Sequence, residues 1–175
     1  MDGTHFDALV RAIVYQQLSG KAAATIHGRV LDVFGGVPPD ARALLAADPA
    51  TLGAAGLSRQ KLGYVLDLAR HVADGALPLG RVERMEDEAV IDALTAVKGI
   101  GRWSAQMFLM FRLGRPDVFP ELDLGVRKGI QLIDGLDELP ASRGLEDRVG
   151  PWAPWRTVAS WYLWRTVDAE GALPT

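Results

Sequence analysis

Apolar residues along this chain fall mostly at helical spacing. Phe6, Leu9, Val10, Ile13 and Val14 recur at i, i+3, i+4, i+7 and i+8, one face of a helix that Thr4 is placed to cap. Ser19 opens a second segment through Ala23, Ile26 and Val30, which stops at Gly35-Gly36. Asp40, after Pro38-Pro39, opens a short helix over 41–47. Asp48-Pro49 starts another, ended by Gly53 or Gly56, because proline suits a first turn and glycine a stop. Behind Ser58, the residues Leu62, Val65, Leu66 and Ala69 share a face up to Gly75. Glu86, Asp87 and Glu88 put negative charge where a helix start favours it, ahead of Val90, Ile91 and Leu94. Residues 102–113, about 124–133 and a tryptophan-rich stretch from Pro154 to Val167 complete the set. No run of five or more residues alternates in the manner of a strand. The pattern predicts one all-α domain over 1–175, of eight to ten short helices in two helical lobes with a cleft between them. Glycine-bearing joints at 35–36, 75–80 and 114–122 are the expected crossings between lobes.

Composition narrows the chemistry mainly by exclusion. The 175 residues are 49% hydrophobic and 23% charged, as in folded globular chains. With no cysteine there is no disulfide, thiolate metal site, iron–sulfur cluster or cysteine nucleophile. His5, His27 and His71 share no ligand spacing, and Ser104 and Ser160 have no evident histidine partner. No apolar run reaches the roughly 18 residues of a membrane span, and the start MDGTHFDALVR lacks a basic region followed by an apolar stretch. No membrane association is therefore expected, and the location expected is the cytoplasm. A net charge of −3 argues against a general nucleic-acid coat. It leaves room for a local basic face.

The most specific stretch runs from Leu94 to Phe108, LTAVKGIGRWSAQMF. Two apolar-faced helices are separated only by Lys98-Gly99-Ile100-Gly101. A turn that tight needs residues tolerant of positive φ, which Gly99 and Gly101 supply. Ile100 is placed to plug the joint from inside, and Ala105 lets the helices approach closely. The N–H groups of Gly101, Arg102 and Trp103 open the second helix, an arrangement that suits a phosphate oxygen. From Lys98 to Lys128, six cations (Lys98, Arg102, Arg112, Arg115, Arg127, Lys128) face three carboxylates (Asp117, Glu121, Asp123), a local net of +3 in an acidic chain.

Leu94, Val97, Gly99, Ile100, Gly101, Ala105 and Phe108 resemble the helix–hairpin–helix, a DNA-backbone clamp. The segment 115–129, RPDVFPELDLGVRKG, places Asp123 at the head of the next predicted helix, 22 residues after Gly101. This resembles the helix–hairpin–helix DNA glycosylases, whose catalytic aspartate follows the clamp by about twenty residues. Phe6, Leu9, Ala12, Ile13, Gln16, Gln17, Ser19, Lys21 and Ala22 look like the opening helices of the 3-methyladenine type II branch. Pro154-Trp155-Arg156 with Trp161 to Trp164 looks like its closing helix.

The resemblance implies a helix–hairpin–helix glycosylase fold and a role for each matched position. Asp123 is the catalytic carboxylate, with Glu121 second and Asp117 too early for the motif. Trp103, Met107 and Trp164 line the pocket for the flipped base. Gly99, Ile100, Gly101, Arg102 and Trp103 bind DNA, and Gln17 or Leu18 fills the gap that the flipped nucleotide leaves. In lyase-active relatives the position of Trp103 is a lysine that forms a Schiff base, which an indole cannot do. The implied enzyme is therefore a monofunctional DNA-3-methyladenine glycosylase II-like hydrolase, acting on double-stranded DNA with alkylated bases as a monomer. It would sit on the nucleoid in a bacterium and in the nucleus in a eukaryote. No cofactor is required; the backbone carbonyls of Thr95, Val97 and Ile100 match those that can hold a structural Na⁺ or K⁺. Two alternatives stay open at this point. One is a non-catalytic helix–hairpin–helix DNA-binding module, and the other a bifunctional glycosylase/lyase using Lys98 or Lys128. Relatives often carry extra N-terminal structure, so this chain reads as a minimal or shortened form.

Overall fold

A computed structural model describes residues 3–172. They form ten α-helices: α1 His5–Tyr15, α2 Gly20–Val33, α3 Ala41–Ala46, α4 Pro49–Ala54, α5 Arg59–Ala73, α6 Asp87–Thr95, α7 Arg102–Met107, α8 Leu124–Asp134, α9 Glu146–Val149 and α10 Arg156–Ala172. Short 3₁₀ turns lie at Val82–Arg84 and Gly150–Trp152, and α7 runs directly into a π-helical turn at Phe108–Arg112. There is no strand among the described residues.

The caps expected from the sequence are made. The side chains of Thr4, Ser19, Asp40, Asp48 and Ser58 accept from Asp7, Ala22, Ala43, Ala50 and Lys61 amides at 2.7–3.4 Å. Each satisfies an N–H that the helix itself leaves unpaired, a contribution of about 1 kcal/mol. Glu86 holds the cap position of α6 without a side-chain bond of that kind, so its role there is electrostatic.

The chain divides into two compact units, Met1–Ala105 and Gln106–Thr175. The division falls inside α7 rather than at the glycine joints 35–36, 75–80 or 114–122, which corrects the expectation for the crossing points. Those glycines end helices or shape loops within one unit; Gly35, Gly36, Gly75 and Gly114 take left-handed φ values of 67–82°. In the first unit the core gathers Leu9, Val10, Ile13 and Val14 of α1, Val65, Leu68 and Ala69 of α5, and Val90 and Leu94 of α6. In the second, Val126 and Ile130 of α8 pack with Leu145, Val149 and Leu163, flanked by Phe119, Trp152 and Trp164. The tryptophan-rich stretch is not simply core: Trp155 and Trp161 are exposed, whereas Trp164 is half-buried.

Candidate functional site

The turn of the hairpin lies in the first unit and is held by the residue that follows α1 and by α5. Val97 and Ile100 are buried, as the tight turn requires, and so is Ala105. Gly99 has φ +85°, and a Cβ there would overlap the ring of Tyr64. Only glycine fits, for backbone and for space. Gly101 departs from expectation: its φ is not left-handed, and a Cβ would meet nothing within 4 Å. The turn is made with one left-handed residue. No constraint inside the chain accounts for the second glycine.

Side chains from α5 complete this turn. The carboxylate of Asp67, itself buried, accepts the Lys98 amide at 2.9 Å, so a loop N–H is satisfied from below. Gln16 donates through Nε2 to the Gly99 carbonyl at 2.9 Å. Lys61 Nζ donates to the carbonyls of Val14 and Gln16 at 2.7 and 2.6 Å, closing the C-terminal end of α1 with a cation as the helix dipole favours. Burial lowers the Lys61 pKa from its usual value. Immediately after these anchors Gln17 takes φ +55°, a left-handed conformation uncommon outside glycine, and Leu18 follows it partly exposed. The α1–α2 turn is thus strained locally and bonded to the hairpin through its neighbour Gln16.

The Arg102 guanidinium is engaged by Glu88 through two bonds of 2.9 and 2.7 Å, which hold the Glu88 carboxyl below its usual range. Its side chain is paired within the protein, and the backbone at the head of α7 is the part suited to an anion. Trp103 is 44% exposed, and Met107 lies one turn further along α7, half-buried.

The second unit holds Asp123. Its backbone caps α8, and Oδ1 accepts the Val126 amide at 2.8 Å and the Trp164 indole N–H at 2.8 Å. Capping α8 and fixing the carboxylate are here one geometry, since the same oxygen takes both donors. Trp164 stacks on Phe111, with centroids 5.9 Å apart and ring planes 28° from parallel. Phe111 is carried by the π-helical turn, in which Leu113 N–H reaches back five residues to the Phe108 carbonyl at 3.1 Å.

The competing carboxylates have other partners. Glu121 accepts from Gln106 Nε2 at 2.6 Å, and Gln106 is almost fully buried. Asp117 takes Arg156 Nε and Nη2 at 2.7 and 2.8 Å and the Arg156 amide at 3.2 Å, fixing the start of α10. Those bonds keep the Asp117 carboxyl below its usual range. Of the expected cations, Arg127 is turned to the Pro140 carbonyl at 2.8 Å, while Lys98, 77% exposed, has its Nζ 3.9 Å from Asp67 Oδ1.

Several residues that hold these two regions in place escaped the sequence reading. Gly125 and Gly129, one turn apart on α8, face α10: a Cβ at Gly125 would lie 2.8 Å from Trp164 Cδ1, and one at Gly129 would lie 2.7 Å from the Leu163 carbonyl oxygen. Two glycines spaced by four in a helix were the available signal. Lys61, Tyr64 and Asp67 form a polar row beside the apolar face of α5, and that row was legible too.

A family model described as HhH-GPD superfamily base excision DNA repair protein matches residues 10–154. The chain belongs to this superfamily. The HhH-GPD assignment spans both units and includes the hairpin, Asp123 and the segment entering α10. The chain is similar to DNA-3-methyladenine glycosylase 1 of Schizosaccharomyces pombe, 35% identical over 163 residues, 92% of this chain and 72% of that protein. Among solved HhH-GPD relatives, a DNA-3-methyladenine glycosidase from Bacillus halodurans matches at 40% identity with a TM-score of 0.87 over 94% of this chain and 76% of that one. The S. pombe 3-methyladenine DNA glycosylase, solved with abasic DNA, matches at 34% identity and TM-score 0.79 over 94% of this chain and 81% of that one.

Proposed function

We propose that this HhH-GPD chain is a monofunctional DNA glycosylase that extrudes an alkylated base of the 3-methyladenine or 7-methylguanine kind from duplex DNA and excises it hydrolytically. The observation that carries the reading is the Asp123 carboxylate, held at the head of α8 by the Val126 amide and the Trp164 indole. A purine alkylated at N3 or N7 is cationic and leaves easily. The C1′–N bond breaks with its electron pair on the base, which departs neutral, and the sugar becomes oxocarbenium-like. A fixed carboxylate stabilises that cation and receives a proton from the water that adds to C1′. Trp164, backed by Phe111, offers an aromatic face on which a cationic base gains stacking and cation–π attraction. Trp103 and Met107 are the further pocket residues in this reading, and Trp103 stands where a lyase would need its lysine.

DNA binding is assigned to the backbone at Gly99, Ile100 and Gly101 and the N–H groups of Arg102 and Trp103, with Gln17 and Leu18 as the wedge. The strained, exposed Gln17 supports that last role. No cofactor is needed for the chemistry. Three carbonyls, of Thr95, Val97 and Ile100, are a donor set suited to a hard monovalent cation; the Val97 oxygen also accepts the Ile100 amide at 3.1 Å, which leaves it a second lone pair. The enzyme acts as a monomer wherever the cell keeps its DNA. Among the described residues no helix is long and apolar enough to cross a membrane.

Chromatography of bases released from methylated DNA tests the reading. Wild type should release methylated purines and leave abasic strands that break only on alkali treatment. Asp123→Asn should bind duplex normally and lose on the order of 10²-fold or more in release rate. A borohydride-trapped covalent complex, or full activity in Asp123→Asn with none in Glu121→Gln, would overturn it.

A further inference from the structure

We propose that Gly125 is a positioning residue for the Asp123 carboxylate, acting through Trp164; this rests on the glycosylase reading. Gly125 lies in the first turn of α8, two residues after the carboxylate that caps it, and its backbone is not left-handed. Conformational freedom therefore does not account for glycine here. Space does. A Cβ would lie 2.8 Å from Trp164 Cδ1, 3.1 Å from Trp164 Nε1 and 3.2 Å from Asp123 Oδ1. It would stand in the corner where the indole N–H meets the carboxylate, displacing a donor that reaches Asp123 from α10.

Gly129 provides the internal contrast. A Cβ there would meet Leu163 Cβ, O and Cα at 2.7–2.9 Å, largely backbone, so Gly129 sets how closely α8 and α10 pack. Gly125 meets no backbone atom among its nearest neighbours, only the indole edge and the carboxylate. The close packing brings Trp164 to Asp123. The second missing methyl lets the N–H finish the approach. With Oδ1 tied to two donors, the carboxylate is held in one orientation toward the sugar cation.

Two readouts separate this role from mere packing. The first is the Trp164 indole N–H signal in ¹⁵N-labelled protein, identified by its loss in Trp164→Phe. In Gly125→Ala it should move from its bonded position toward that seen in Asp123→Ala. The second is single-turnover base release beside duplex affinity. Gly125→Ala should lower release about tenfold to a hundredfold while affinity stays within about twofold. In a Trp164→Ala background, which lacks the ring that the Cβ would meet, adding Gly125→Ala should change release by less than about twofold. If Gly125→Ala does not fold, restoration of the fold by Trp164→Ala supports the same contact. An unmoved indole signal with full release in folded Gly125→Ala would overturn the proposal, as would equal losses in both backgrounds. Wild type that releases no base would refute the glycosylase reading alone, because the indole signal still decides the role of Gly125.

Discussion

The hairpin and the α8–α10 corner each carry two glycines, and the four differ in what surrounds them. In the hairpin, Gly99 combines a left-handed backbone with a ring pressed against it, whereas Gly101 has neither. At the corner both backbones are ordinary, yet both glycines face another helix: Gly129 meets the main chain of α10 and Gly125 the indole edge of Trp164. Residue type is thus a poor guide to role. A glycine required by its own fold is met by neighbours within the chain. One with open space around it, such as Gly101, is more simply explained by something that approaches from outside.

The two regions also differ in their charges. Glu88 and Arg102 beside the hairpin pair in the open, with Glu88 67% exposed. Asp117 and Arg156 pair in a more sheltered place, with Asp117 28% exposed, and Arg156 adds its backbone amide. Solvent screens the first pair more than the second.

The largest effect is expected at Gly99. Gly99→Ala should cost about 2–5 kcal/mol in urea denaturation, the sum of a strained left-handed residue and overpacking against Tyr64. A cost below about 1 kcal/mol would remove the distinction drawn between Gly99 and Gly101.

A smaller effect belongs to the sheltered ion pair. Because its partner lowers the folded-state pKa of Asp117, the stability it contributes is complete above the unfolded carboxyl value, about 3.9, and is lost as pH falls through the lower folded one. Asp117→Asn should therefore destabilise the protein at neutral pH by about 1–2 kcal/mol and flatten the acid limb of its stability curve. Glu88→Gln should act in the same direction and less, since that pair is open to water. If Glu88→Gln had the larger effect, exposure would not be what ranks the two pairs.

The smallest stability change is expected at Gly101, where Gly101→Ala should be neutral or stabilising by up to about 1 kcal/mol, because a Cβ fits and the unfolded chain loses freedom. Its effect should appear in binding instead. Affinity for lesion-bearing and plain duplexes should fall by similar factors, because phosphate contacts carry no base information. Unchanged affinity would reduce this part of the hairpin to an ordinary turn.

Local interactions made the helices and their caps legible in the sequence: Thr4, Ser19, Asp40, Asp48 and Ser58 each bond within three residues of themselves, so spacing alone finds them. The hairpin and Asp123 were legible for another reason, a resemblance spread over the chain, which the match to residues 10–154 bears out at the level of the superfamily. The π-helical turn had no such signal, and neither did Phe111, which it presents to Trp164. Gly101 was misjudged because two glycines flanking one residue suggest two left-handed turns, and only backbone geometry distinguishes one from two.

By itself, then, the sequence determined an all-α chain, its caps, its buried faces and the positions at which a carboxylate and a tight glycine turn stand. Tertiary structure alone decided which groups those positions meet. The Asp123 carboxylate is held from 41 residues away by Trp164, the Gly99 carbonyl from 83 residues away by Gln16, and the Lys98 amide from 31 residues away by Asp67. Such bonds leave no period in the sequence, because hydrophobic spacing reports which face of a helix is buried and not what that face is buried against.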